Sequence, residues 1–446
     1  MRRLLLVGII LLLVHRSYGQ NWPDIQHSDH ADVRGLFADT LTGDLYVLQG
    51  GGANALVIRH PDGSYTTHQN IGPKPVFAGI RYKGELFLGG TGGLVKYDST
   101  LHDFQWFGNI NGQILDMLVK DDKLYVFGNF SKADTVNCES MAMWDGVKWS
   151  RVDNYPASIP EFDLLTIACA TFYKGELYVG GILFDQINGG NVSVVRGNGS
   201  TFKLVTDSLR GPFDAVNTML MHNDTLYMGG LFYEVYGAPG NCILAWDGNH
   251  FHQLGQGVTN LDLAQVMDLE IWENQLVMSG NFNSVDNISA SRIAIWDGHK
   301  WCGFGGDFQS GVGALTILRD TLFVGGGFND IDGNPPHNLT KWNGGSYRDT
   351  CSWPVGISEN EVPEFRSVQI YPNPVMDLLQ VDLSGIKQNT DLLISIFSID
   401  GKLIQTFYPQ NIGTTYQINV EDFAKGSYLL KVVSGKNVQV LKFEKL

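Results

Sequence analysis

A leucine followed twenty residues later by a tryptophan recurs through the middle of this 446-residue chain, and no other feature narrows its fold as much. Leu124 is answered by Trp144, Leu226 by Trp246, Leu276 by Trp296 and Leu322 by Trp342. Each of these tryptophans opens a Trp-Asp/Asn-Gly turn, and an aromatic follows five places on: Trp149, Phe251, Trp301 and Tyr347. A fifth unit has Leu177 and Phe202 in the same frame, with Gly197 where the tryptophan would stand. Two shorter units begin at Leu45 and Leu86, giving seven anchors spaced 38 to 53 residues apart. Repeats of this length are single supersecondary units that bury their apolar faces only against copies of themselves.

One unit shows what is being repeated. Thr218 to Met221 predicts a short strand, His222-Asn223-Asp224 a turn (its counterparts are Lys83-Gly84 and Lys174-Gly175), and Leu226 to Met228 a returning strand. Gly229-Gly230 ends that strand, where a side chain would obstruct a close backbone. Ile243 to Trp246 predicts a third strand and Phe251 to Leu254 a fourth, joined at Asp247-Gly248, a pair suited to a type I′ turn. Four antiparallel strands per unit is the period of a β-propeller blade, with the aromatics as wedge filling between blades. High glycine (53 residues), 11% aromatics and only 17% charged residues suit such an all-β architecture better than helices with charged faces.

The Leu-Tyr-Val-Gly-Gly run at 177 to 181, with the Trp-Asp-Gly turn and second aromatic of most units, resembles the kelch-like superfamily. The resemblance spans about residues 32 to 350 and implies about seven four-stranded blades; the two short units at Leu45 and Leu86 depart from it. It does not imply a function, because propellers host enzymes, lectins and scaffolds.

The start of the chain specifies a compartment. Arg2 and Arg3 precede an apolar run of 11 residues, Leu4 to Val14, and Ser17-Tyr18-Gly19 offers small residues where signal peptidase reads. Residues 1–19 are therefore expected to be a signal peptide, delivered to the Sec translocon and cut before Gln20. Eleven apolar residues fall short of the ~20 a membrane span needs, and no later stretch is long enough. A net charge of −15 argues against nucleic acid as a partner. Five cysteines, Cys138, Cys169, Cys242, Cys302 and Cys351, leave at least one unpaired; Cys302 and Cys351 occupy matching points of adjacent repeats, and both a disulfide between them and burial as small apolar residues fit.

The propeller is expected over 20–351 and a linker over 352–366, where Pro354, Pro363 and acidic residues interrupt the pattern. Residues 367–446 change character: short alternating strands predict a small immunoglobulin-like β-sandwich. Four motifs run through it in order: Tyr371-Pro372-Asn373-Pro374, the Asp400-Gly401-Lys402 turn, Lys425-Gly426-Ser427-Tyr428-Leu429, and the terminal Lys442-Phe443-Glu444-Lys445. These resemble the type A C-terminal sorting domain of the type IX secretion system of Bacteroidetes. The resemblance implies passage through the outer-membrane type IX translocon, removal of the domain by a gingipain-like sortase, and a final place outside the cell or on its surface.

No residues are spaced as a catalytic set, a cofactor site or a metal site. Asp145-Gly146 and Asp297-Gly298 approach a sialidase Asp-box but are one residue short. Asp330-Ile331-Asp332-Gly333-Asn334 resembles the start of a calcium loop, yet lacks the later glutamate, so a β-turn is the better reading. His27 and His30 are close, with nothing to complete a metal site. The expectation is a non-enzymatic module that binds a glycan or protein ligand. The alternatives are a polysaccharide-active hydrolase, lyase or oxidase on the same scaffold, or an adhesive surface component.

Overall fold

The computed structural model describes residues 22, 23, 25, 31–51, 55–152, 162–197, 201–205, 209, 214–259, 263–333, 338–344, 368–384, 392–398, 403–407, 409, 415–434 and 437–446. The expected signal peptide and linker, His27, His30, Cys351 and the Asp400-Gly401 turn lie outside the described residues. The chain divides into two compact units, Met1–Trp353 and Pro354–Leu446.

The described residues of the first unit form seven antiparallel sheets that follow one another along the chain, besides two small hairpins. Their first strands are Val33–Asp39, Val76–Tyr82, Gln113–Lys120, Phe162–Tyr173, Ala215–His222, Gln265–Trp272 and Val312–Leu318. Each packs against the first strands of the sheets before and after it, and the first sheet meets the seventh, so the ring closes. This is a β-propeller. Six sheets have four strands; in the seventh, three are described, ending at Leu339–Lys341. All seven leucine anchors lie on second strands, including Leu45 and Leu86 of the two short units, whose sheets are full four-stranded ones.

Local chemistry explains the hairpins. Six of the seven turns from first to second strand carry two consecutive residues at positive φ: Lys83-Gly84, Asp121-Asp122, Lys174-Gly175, Asn223-Asp224, Glu273-Asn274 and Arg319-Asp320. That is type I′ geometry, whose twist matches that of the flanking strands. The Asp247-Gly248 turn differs from the expectation. Trp246 pairs with Phe251 across a four-residue loop, in which only Gly248 has positive φ. The Asp247 carboxylate accepts the N–H groups of Asn249 and His250, both at 2.7 Å, and this capping fixes the longer loop.

The aromatics sit in the wedges between sheets. Trp246 and Trp301 are fully buried; the Trp301 indole donates to the Leu254 carbonyl of the preceding sheet at 2.7 Å, and the Trp246 indole to the Tyr178 hydroxyl at 3.2 Å. A second set pins alternate seams from the ends of first strands. Tyr82 donates to the Asp122 carbonyl, Tyr173 to that of Asp224 and Trp272 to that of Asp320, each in the next sheet's turn and at 2.7 to 3.0 Å. Trp22, 2% exposed, packs with Phe304, Phe308 and Trp342 between the sixth and seventh sheets.

The second unit is two sheets over one core. Gln369–Tyr371, Leu378–Asp382 and Thr415–Asn419 form one; Leu392–Ser398, Leu403–Phe407, Gly426–Ser434 and Asn437–Lys445 form the other. Leu379, Val381, Ile394, Ile396, Leu430 and Phe443 are buried between them.

Candidate functional site

Every first strand of the ring is bulged at the same place. There the ladder skips a residue in each sheet: Arg34, Phe77, Leu115, Ala168, Asn217, Met267 and Gly313; the fourth sheet has a further irregularity between Asp163 and Thr166. A bulge leaves its extra residue unpaired and re-aims its side chain. None of the seven is fully buried, although they flank core residues such as Val76, Ile114, Val266 and Val312. In six of the seven sheets a glycine stands opposite the bulge, and in the first sheet Gln49 takes its place. A Cβ on Gly128, Gly230 or Gly280 would lie 2.0 Å from the carbonyl oxygen of Gln113, Ala215 or Gln265.

Three bulge residues from adjacent sheets, Met267, Gly313 and Arg34, line one cavity of about 190 Å³ with Asp32, Ser310 and Gly327. Arg34 pairs with Asp32 at 3.2 Å, so the cavity wall presents donors and acceptors with no net charge. The same end of the ring carries neutral polar pairs that bridge neighbouring sheets: Gln113 to Thr91 at 3.0 Å, Asn129 to Thr166 at 3.2 Å and Asn217 to Gln265 at 3.1 Å.

Three carboxyls lie further along two of these first strands. Asp116 accepts the Ala170 N–H of the next sheet at 2.8 Å, and Asp268 accepts the Leu315 N–H of its next sheet at 2.7 Å. Burial pushes the Asp116 carboxyl up to about 6. Burial also pushes Asp268 up to about 7, helped by the charges of Glu270 and Asp116. Glu270 rises to about 7 for the same reason, with only its neighbour's N–H, that of Ile271, to offset it. Both aspartates act as clasps across sheet seams.

The long connections from second to third strands sit at the mouth end and fold back onto the linkers between sheets. Val285 bridges to Val258, and Ile331 to Phe308. In the calcium-like segment, Asp330 caps the Gly333 N–H at 2.9 Å and Asp332 accepts the Asp307 N–H at 2.8 Å, which is turn chemistry. Asp145 and Asp297 likewise accept the N–H groups of residues two and three places on. Among the described residues no group of three or more His, Cys, Asp or Glu gathers to hold a metal ion. Cys138, Cys169 and Cys242 are free and buried, whereas Cys302 is disulfide-bonded.

Two of the motifs singled out in the sequence, at 371–374 and 442–445, meet in the second unit. The Asn373 side chain donates to the Lys442 carbonyl at 3.0 Å and accepts the Glu444 N–H at 2.9 Å, and Val375 runs parallel to Lys445. Tyr371, Pro372 and Pro374 are exposed beside this join. Tyr428 stacks on Phe443 and donates to the Ala424 carbonyl at 2.8 Å, while Lys425 and Gly426 open its strand from an exposed turn. Lys442 pairs with Glu444 at 2.9 Å, and the Lys445 ammonium donates to the Leu446 carbonyl at 2.9 Å.

The bulge residues escape sequence reasoning because their types, from Gly to Phe to Arg, share nothing. The signal that could have found most of them is the glycine near the end of the second strand in six of the seven sheets, which marks where a backbone crowds in.

Residues 369–444 match the family model described as a secretion system C-terminal sorting domain. A search of curated proteins finds no match. Among solved structures, the extracellular domain of the putative one component system BT4673 from B. thetaiotaomicron aligns over 94% of this chain and 56% of that one, at 11% identity and a TM-score of 0.45. A Niastella koreensis GH74 enzyme aligns over 96% and 69%, at 11% and 0.43. Saccharomyces cerevisiae Sqt1 aligns over 95% and 97%, at 10% and 0.41. No helix among the described residues is long and apolar enough to cross a membrane. Residues 369–444 are thus a C-terminal sorting domain of type IX secretion, and the chain is a β-propeller cargo exported to the cell surface or the extracellular space.

Proposed function

We propose that this protein is a non-enzymatic glycan-binding propeller. In this reading the Sec translocon exports it behind residues 1–19, signal peptidase cuts before Gln20, and a gingipain-like sortase trims it near Arg366 during type IX passage. The observation that carries the binding role is the neutral polar mouth. Amides and hydroxyls at Gln113, Thr91, Asn129, Thr166, Asn217 and Gln265, with Met267 and Phe77 among the re-aimed side chains, supply the mixture of hydrogen-bonding groups and apolar surface that a sugar ring demands. A charged or phosphorylated ligand would call for unpaired cations there, and Arg34 is already paired.

Two measurements test the reading. Terminal mass spectrometry of the extracellular protein should find Gln20 at the start and no segment beyond about Arg366; full-length protein in the periplasm would sink the processing scheme. A printed oligosaccharide array should give binding by the folded propeller without release of reducing sugar. A second reading, a polysaccharide-active enzyme, rests on Asp268 and Glu270, whose raised carboxyls could hold a proton near neutral pH. The backbone hydrogen bonds already made by Asp268 weigh against it. Turnover on a polysaccharide that disappears in Glu270→Gln would establish it.

A further inference from the structure

Two glycines at the mouth are not demanded by the backbone. A Cβ at Gly313 would come no nearer than 3.7 Å to any atom and one at Gly311 no nearer than 3.8 Å, and neither has a positive φ. The contrast is Gly326 on the facing strand, where a Cβ would lie 2.3 Å from the Gly311 carbonyl oxygen. In the other six sheets the bulge position that Gly313 occupies holds a side chain. The missing side chain leaves open the cavity between Met267 and Arg34.

We infer that this notch in the seventh sheet is the seat of the ligand, and that it takes one neutral sugar ring. The inference rests on the glycan-binding reading above and adds to it a position and a class. About 190 Å³ is well below the 300–1,000 Å³ of pockets that enclose drug-sized ligands, so one ring fits and a chain does not. The Asp32–Arg34 pair places an acceptor beside a donor, 3.2 Å apart, which is the pattern that neighbouring ring hydroxyls read. The Ser310 hydroxyl adds a further polar group, and Met267, 37% exposed, offers an apolar wall for ring C–H groups. The pair cancels its own charge, so an acidic sugar gains no free cation.

The test compares the wild type with Gly313→Leu, which fills the notch from a Cβ the site accepts. Serine at the same position, Gly313→Ser, controls for loss of the glycine itself. The probes are a printed oligosaccharide array and then, by saturation-transfer NMR, the methyl glycosides of glucose, galactose, mannose and xylose beside glucuronic acid. The expected result is that at least one neutral glycoside binds the wild type, that Gly313→Leu weakens it tenfold or more, and that Gly313→Ser weakens it far less at the same melting temperature. Equal binding by Gly313→Leu overturns the notch and leaves the glycan-binding reading standing. Stronger binding of glucuronic acid overturns the neutral class. A wild type that binds no sugar on the array overturns the glycan-binding reading and this inference together.

Discussion

A carboxyl that burial raises to about 7 is a group the fold holds at a cost above that pH. Glu270 ordinarily titrates near 4.5, and in the folded chain near 7. Its folded value is the higher one, so the fold favours the protonated form. The penalty is absent below about 4.5, grows as pH climbs to about 7, and is constant above it. Glu270→Gln keeps an oxygen for the Ile271 N–H and removes the charge. The variant should match the wild type in melting temperature at pH 4 and exceed it at pH 8 by about 2–4 °C. That corresponds to about 1 kcal/mol once partial solvent screening is allowed for. Equal melting temperatures at pH 8 would mean that the carboxyl is solvated in the ring. Asp268 and Asp116 obey the same sign, but each also clasps the next sheet, so their amide variants mix two effects.

The repeated element of this ring is a bulge, set against a glycine in six of the seven sheets, more than a strand pattern. Gly230 pairs with Val216 just where Asn217 is squeezed out of the ladder, and the Ala215 carbonyl lies where a Gly230 Cβ would go. Gly230→Ala must therefore displace backbone, and a loss of about 2–4 kcal/mol is expected, seen as a lower urea midpoint with an unchanged slope. Gly313→Ala should stay within about 0.5 kcal/mol, because its Cβ meets nothing closer than 3.7 Å. Similar losses in both would mean that the glycines act through chain entropy alone. The same comparison explains what was readable beforehand. Leu226, Trp246 and the Gly229-Gly230 pair announce strand, wedge and close approach, because each is a residue type that one environment selects. The C-terminal sorting domain was readable from short motifs spaced along residues 369–444. The mouth was not, since a bulged residue is released from the constraints that give core positions a shared type. The type I′ turns were also misplaced. Asn223-Asp224 adopts that geometry without the glycine that advertises it, and Asp247-Gly248 has the glycine without the geometry.

A closed ring has to be fastened where its first and last sheets meet, and here the fastening comes from Trp22, Pro23 and Ile25, ahead of the first strand. The third strand of the seventh sheet, Leu339–Lys341, is the last described strand where the ring closes, and an edge left bare there would offer itself to other chains. Trp22 instead inserts between the sixth and seventh sheets, its indole donating to the Gly305 carbonyl at 3.1 Å, and Thr340 donates to the Pro23 carbonyl at 2.8 Å. Ile25 packs on the other side of that sheet, with Val33, Leu45 and Leu339 of the first and seventh sheets. A segment three residues past the expected cleavage point thus touches three sheets. Trp22→Ala removes the largest contact of the set and leaves a cavity among Phe304, Phe308 and Trp342. The expected cost is about 3–5 kcal/mol, and a chain begun at Ala31 should lose more. Because every sheet relies on both neighbours, the loss should appear as one earlier cooperative melt of the whole ring rather than as fraying of its seventh sheet. Two separated transitions, or a melting temperature unmoved by Trp22→Ala, would show that the first strands alone hold the ring shut.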